Sequence, residues 1–225
     1  MAPAIPQLYR STVGKKAVMA VTGGLLLLFV TAHMVGNLKF FFGAEEFDGY
    51  AAWLRTIGAP ALHHEWFLWI QRTGLLLCVL LHIGTATSLA VRARRARPVR
   101  YRHRPAVQGS YAARTMRWGG VIVALFVVYH LLDLTVGVLN PHGEHGEVHA
   151  NVVADFAPER WYVTLFYALA VIVLGFHVQH GLRSAFQSLG RGDARTLDLV
   201  ATGYAVALVV GFLAVPVAVL VGVGS

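Results

Sequence analysis

Five apolar stretches, each longer than 20 residues, decide what this chain can fold into: approximately 17–42, 66–91, 114–139, 161–186 and 197–221. At about 1.5 Å rise per helical residue, roughly 20 residues cross the ~30 Å hydrocarbon core of a bilayer. Only a helix satisfies every backbone amide and carbonyl within one such segment. The expectation is an all-α membrane protein, a bundle of five transmembrane helices forming one membrane domain over residues 1–225. The connections are too short for a soluble domain. Charged residues make up 13% of the chain, about half the share usual in soluble domains.

The net charge of +8 points to a membrane topology and not to nucleic acid, because of where the charges lie. With the N-terminus in the cytoplasm, the inner segments hold Arg10, Lys15, Lys16, Arg92, Arg94, Arg95, Arg97, Arg100, Arg102, Arg104, Arg114, Arg117, Arg183, Arg191 and Arg195. Only Lys39, Arg55, Arg72 and Arg160 remain outside, whereas the acids Glu45, Glu46, Asp48, Glu65, Glu144, Glu147, Asp155 and Glu159 gather there. The positive-inside rule then places the N-terminus in and the C-terminus out. The run from Arg92 to Arg104 serves as a topology determinant, with contact to anionic lipid or a partner protein as the alternative. Residues 1–16 read as a polar lead, and the first apolar run, too long for a signal peptide, as a retained span. A multi-pass protein of the cell inner (cytoplasmic) membrane is the resulting expectation.

Between the first two spans, Phe47, Tyr50, Ala51 and Leu54 recur at helical spacing. They predict a short surface helix over about 45–57 on the outer side. Trp66, Trp69, Trp161 and Tyr162 mark outer span ends as an aromatic belt. The outer connection from Asn140 to Pro158 is polar, with no helix evident. Its His142, His145 and His149 read as a solvated loop, with a weak metal site as the alternative. Cys78 is the single cysteine, so this chain alone supports neither an internal disulfide nor an iron–sulfur cluster.

Among the eleven histidines, four recur at matching positions, one on each of the first four spans: His33, His82, His130 and His177. Each sits about 16 residues, roughly 24 Å, beyond the start of its span. Because successive spans run in opposite directions, His33 and His130 come to lie near the outer face, His82 and His177 near the inner. The two layers are separated by about 15–20 Å of a ~30 Å core. Imidazole in hydrocarbon is costly unless paired or ligated. Two facing pairs suit the axial positions of two haem irons, leaving no open coordination site and hence electron carriage. Glycines near them (Gly23, Gly24, Gly36, Gly74, Gly84, Gly137, Gly181) would admit a flat macrocycle. His180, one turn beyond His177, is the alternative fourth ligand. Arg72 is a candidate partner of a haem propionate or, alternatively, of Asp133. A transporter that relays protons through haem-free histidines is the competing reading from another class.

The ordered set of Ser11–Lys16 (STVGKK), Met19–Gly23, His33-Met34-Val35-Gly36-Asn37-Leu38, Arg72 leading to His82-Ile83, Arg114–Trp118, His130–Thr135 and Phe176–Phe186 resembles the single-chain, five-span, di-haem cytochrome b membrane anchors of succinate dehydrogenases and fumarate reductases. The resemblance implies two haem b, the outer held by His33 and His130, the inner by His82 and His177. It implies a flavoprotein and an iron–sulfur subunit on the cytoplasmic side, assembly into a higher oligomer, and a quinone, menaquinone being expected. It implies that dicarboxylate chemistry of the tricarboxylic acid cycle occurs on those partners and not on this chain. The di-haem subunit of another respiratory dehydrogenase or reductase is the alternative. Quinone contacts are expected from Arg10, Ser11, His180 and Arg183, with lipid headgroups as the competing partner. Some members carry a glutamate two residues before the fourth-span ligand, implicated in proton movement; here that position is Gly175.

Overall fold

A computed structural model describes residues 11–96, 111–188 and 193–223. Among these residues the fold is all-helical: α1 (Thr12–Asn37, continued by a 3-10 turn Leu38–Phe42), α2 (Ala44–Thr56), α3 (Trp66–Arg95), α4 (Tyr111–His130, continued by a π-turn Leu131–Thr135), α5 (Val148–Asp155), α6 (Trp161–Ser188, entered through a 3-10 turn Pro158–Arg160) and α7 (Ala194–Leu220). Five segments are long and apolar enough to cross a membrane: Thr12–Phe42, Trp66–Arg95, Met116–Thr135, Pro158–Gln187 and Arg195–Leu220.

Three expectations need correction. The first helix starts at Thr12, inside the stretch read as a polar lead. There Ser11 Oγ accepts the Gly14 amide at 2.9 Å, as a helix cap does. The third span stops at Thr135 and not at 139. Val136 N reaches back to Leu131 O at 2.8 Å, and Gly137, at φ +84°, turns the chain so that its neighbour is the Gly143 backbone. The connection from Asn140 to Pro158, expected to be without a helix, holds one, α5. Its apolar face (Val148, Val152, Val153) was masked by the polar residues around it. Asn151 and Asn140 tie down the preceding loop: Asn151 Oδ1 takes the Glu144 amide at 3.0 Å, and Asn140 Oδ1 the His142 and Gly143 amides. The surface helix α2 forms where the spacing predicts it.

The described residues divide into two compact units, 11–30 with 68–96, and 31–67 with 111–188 and 193–223. In the first unit, α1 meets α3 through Lys15 Nζ bonded to Ser88 Oγ and Thr22 Oγ1 lying 3.3 Å from His82 Nδ1. The two contacts step in opposite directions along the chain, so the helices are antiparallel. In the second unit, α6 lies between α4 and α7. On the α7 side Gln179 Nε2 donates to Thr202 Oγ1 at 2.7 Å, and Arg183 pairs with Asp198 at 2.8 Å. One end of this unit is sealed by Phe40, Phe47, Val152, Phe156, Val163, Tyr167, Val215 and Val219. That cluster fixes α2 and α5 against the ends of the long helices.

Small residues set how closely these helices approach. A Cβ on Gly175 would lie 2.6 Å from Val209 Cγ2 of α7. The Gly175 position is therefore closed to a larger side chain by the packing of α6 against α7. Gly175→Val is expected to destabilise the detergent-solubilised protein by the ~1–3 kcal/mol that overpacking costs. Gly181→Ala, with nothing within 4 Å of the added atom, should leave the thermal unfolding midpoint unchanged. Equal midpoints for the two variants, measured by circular dichroism, would contradict the packing argument.

Candidate functional site

Of the four intramembrane histidines, two come together within one unit. The rings of His33 (α1) and His130 (the last residue of α4) lie 5.8 Å apart between centroids, inclined at 75°. Both are half-buried. Two imidazole nitrogens about 2 Å from one metal ion, on opposite sides, place their ring centroids about 6 Å apart. The pair thus has the separation that axial ligation of one iron requires. Phe212 of α7 flanks His33 at 6.0 Å, and Phe126 flanks His130 at 5.9 Å. The aromatic surroundings suit a flat, apolar macrocycle.

Ligation also requires the distal nitrogen to be presented in the right tautomer, and a hydrogen bond to the other nitrogen does this. Tyr167 Oη stands 3.5 Å from His130 Nδ1, the long limit for such a bond, and itself donates to Asp133 Oδ2 at 2.7 Å. With the hydroxyl proton directed at Asp133, the Tyr167 oxygen is the acceptor toward His130. That arrangement places the proton on Nδ1 and leaves Nε2 as the lone-pair nitrogen. A hydrogen bond to a carboxylate contributes about 1.5–3 kcal/mol, and losing it would strand a buried charge.

His82 and His177 belong to different units. His82 Nδ1 faces Thr22 Oγ1, which donates to Val18 O at 2.8 Å and so acts as acceptor from the ring. Gly23 stands beside it; a Cβ there would lie 3.2 Å from His82 Cε1. His177 packs on Gly120 of α4 in the same manner, with a Cβ expected at 3.4 Å from its Cε1. Gly120 is far from His177 along the chain, so proximity in sequence does not reveal it. Of the seven glycines expected to flank the histidines, Gly23 alone abuts a site histidine. Gly36 faces Tyr50, Gly137 forms a turn, and Gly24, Gly74, Gly84 and Gly181 have nothing within 4 Å.

The remaining candidates are scattered. The Arg72 guanidinium stacks over Trp69 at 5.1 Å, while Asp133 is engaged by Tyr167 and Asp155. Arg10 lies outside the described residues. Ser11 caps α1, His180 is half-buried one turn beyond His177, and Arg183 is engaged by Asp198. Arg183 thus has a structural task that its candidacy for a quinone did not foresee. His142, in the loop before α5, pairs with Glu147 at 2.8 Å, and His149, on α5, stacks on Phe40 at 4.8 Å. Among the described residues no group of three or more potential metal ligands gathers.

Nothing in the residue pattern announces a group of buried polar side chains beside His130. Asp133 in the π-turn and Asp155 at the end of α5 are both 0% exposed. Asp155 Oδ1 accepts from Arg160 Nη2 at 2.9 Å, and the Asp155 carboxyl neighbours that of Asp133. Burial, then the Asp133 carboxylate, push the Asp155 carboxyl up to about 7, with Arg160 opposing. Asp155 sits in a polar stretch and Tyr167 in an apolar one, so neither stands out.

Neither a curated relative nor a solved structure matches the chain. A family model does, described as the succinate dehydrogenase/fumarate reductase transmembrane subunit, over residues 91–218. That stretch holds α4 to α6 and nearly all of α7, and with them His130, His177 and the polar cluster. More than half of the sequence is matched, and the five apolar helices agree with a multi-pass membrane subunit, so this chain belongs to the succinate dehydrogenase/fumarate reductase transmembrane subunit family.

Proposed function

We propose that the chain is the membrane-anchor cytochrome b subunit of a succinate:quinone oxidoreductase, carrying electrons through two bis-histidine haems b between an iron–sulfur subunit and a quinone. Menaquinone is the expected quinone. The observation that carries this reading is the His33–His130 pair, two imidazoles 5.8 Å apart on facing helices in an apolar bundle. A haem b held on both sides is a one-electron carrier with no coordination site left for oxygen. His33 and His130 would hold the outer haem. His82 and His177 would hold the inner, a pairing that rests on their sequence depth and on the similarity to di-haem anchors. Thr22 and Gly23 orient and admit the His82 ring; Gly120 admits that of His177. His180 remains the alternative inner ligand.

The orientation, N-terminus in the cytoplasm and C-terminus outside, follows from the charge asymmetry. It turns the basic connections toward the cytoplasm, where the iron–sulfur and flavoprotein subunits would dock and where dicarboxylate oxidation would occur. Arg72 keeps its candidacy for a propionate and Ser11, His180 and Arg183 for the quinone, Arg183 at the expense of its bond to Asp198. The membership shown by the family model favours succinate or fumarate partners over those of other respiratory complexes.

Two experiments test this. Expressed with its partner subunits, the chain should yield two haems b in a pyridine-haemochrome assay. His33→Ala or His130→Ala should remove one spectroscopic component, and His82→Ala or His177→Ala the other. A colourless protein excludes the proposal, and loss of a component in His180→Ala but not in His177→Ala moves the inner ligand. The complex purified from the native membrane should also reduce its haems with succinate; reduction by hydrogen or formate but not succinate would favour another respiratory enzyme.

A further inference from the structure

Two carboxylates cannot hydrogen-bond to each other, since both only accept. Yet the Asp133 and Asp155 side chains are neighbours in full burial, the Asp133 carboxyl acting directly on that of Asp155. Each has one oxygen satisfied from elsewhere: Asp133 Oδ2 by the Tyr167 hydroxyl at 2.7 Å, Asp155 Oδ1 by Arg160 at 2.9 Å. The other two, Asp133 Oδ1 and Asp155 Oδ2, find no donor among the described residues. One proton between the carboxyls resolves both facts. It leaves a single negative charge, which Arg160 balances. A third polar group supports the same picture: Thr164, 4% exposed, buries a hydroxyl with no partner among the described residues. Its spacing places it on the same helical face as Arg160 and Tyr167.

We propose that Asp133 and Asp155 form a proton-binding site, holding one shared proton that exchanges with the membrane face reached by Arg160 and responding, through Tyr167, to charge at His130. Arg160 provides the route, because its side chain is 24% exposed while its guanidinium grips Asp155. Tyr167 provides the link, since its hydroxyl lies between Asp133 and the His130 ring. The groups facing the pair from the elements packed on it are Arg160 from the turn before α6, Tyr129 from α4 and Tyr167 from α6. Asp48 of α2 is occupied by the His149 amide at 2.9 Å. With the Asp155 carboxyl pushed up to about 7 by burial and the neighbouring carboxylate, the site takes up its one proton as pH falls through neutrality and loses it above. The link to His130 rests on the haem proposal; the shared proton does not. A negative charge added at the His130 site favours the protonated state, drawing the shared proton from water at that face onto pairs that have lost it, and removal of the charge releases it.

Infrared spectroscopy of the purified complex tests the shared proton without reference to haem. The expected result is a carboxylic-acid C=O band that shifts in heavy water, titrates near neutral pH and disappears in both Asp133→Asn and Asp155→Asn. Absence of such a band in the unmodified complex overturns the proposal, as does its survival in either variant. Redox titration tests the link. The midpoint potential of the component lost in His130→Ala should fall as pH rises from 6 to 8, toward the limit of about 59 mV per pH unit for one proton per electron. The slope should flatten in Asp155→Asn and in Tyr167→Phe, which keeps both carboxyls. An unchanged slope in both variants overturns the coupling. Should the haemochrome assay find no haem while the acid band persists, the haem reading fails and the proton site stands.

Discussion

A polar group inside an apolar helical bundle needs a partner, because hydrocarbon offers none, and this requirement organises the whole second unit. The backbone meets it by being helical. Imidazole and carboxyl side chains have to meet it by where the helices bring them. His33 meets His130, Tyr167 serves both His130 and Asp133, Asp133 meets Asp155, and Asp155 meets Arg160 at the edge. Every link joins a different pair of elements: α1, α4, the π-turn, α6, α5 and the turn before α6. The polar chain therefore also fixes the register of the bundle, which apolar packing alone, being non-directional, specifies less sharply.

Much of this architecture was legible because membrane spans are long, apolar and subject to one dominant constraint. The five helices and the surface helix α2 follow from run length and periodicity. Counting residues along the first and third spans, which run the same way, gives His33 and His130 a common depth; that their rings meet is what the structure adds. The features that escaped are equally specific. Helix α5 is eight residues long and its apolar stripe is narrow, so the surrounding Asn, His and Glu dominated the reading. The end of α4 lies in an apolar run, Val136 to Leu139, and composition offers no reason to stop there; the wide turn and the positive φ of Gly137 do.

The partners of His130 illustrate a further limit. Tyr167 resembles many other aromatic residues in α6, and only the angle at which α4 crosses α6 shows that its hydroxyl reaches His130 and Asp133. Gly120 is likewise distant in sequence from the histidine it accommodates. Side chains that orient a ligand belong to a neighbouring helix, so one sequence reveals the ligands more readily than their supports.

The π-turn after His130 closes with a bond from Val136 N to Leu131 O, one residue wider than an α-turn. Removing Leu131 or Leu132 would tighten it, rotating the downstream backbone by roughly 100° about the helix axis. Asp133 would swing away from Tyr167, and the Gly137–Gly143 closure would be pulled out of step. Keeping this carboxyl beside Tyr167 thus ties the segment from His130 to Gly137 to one length, to the residue.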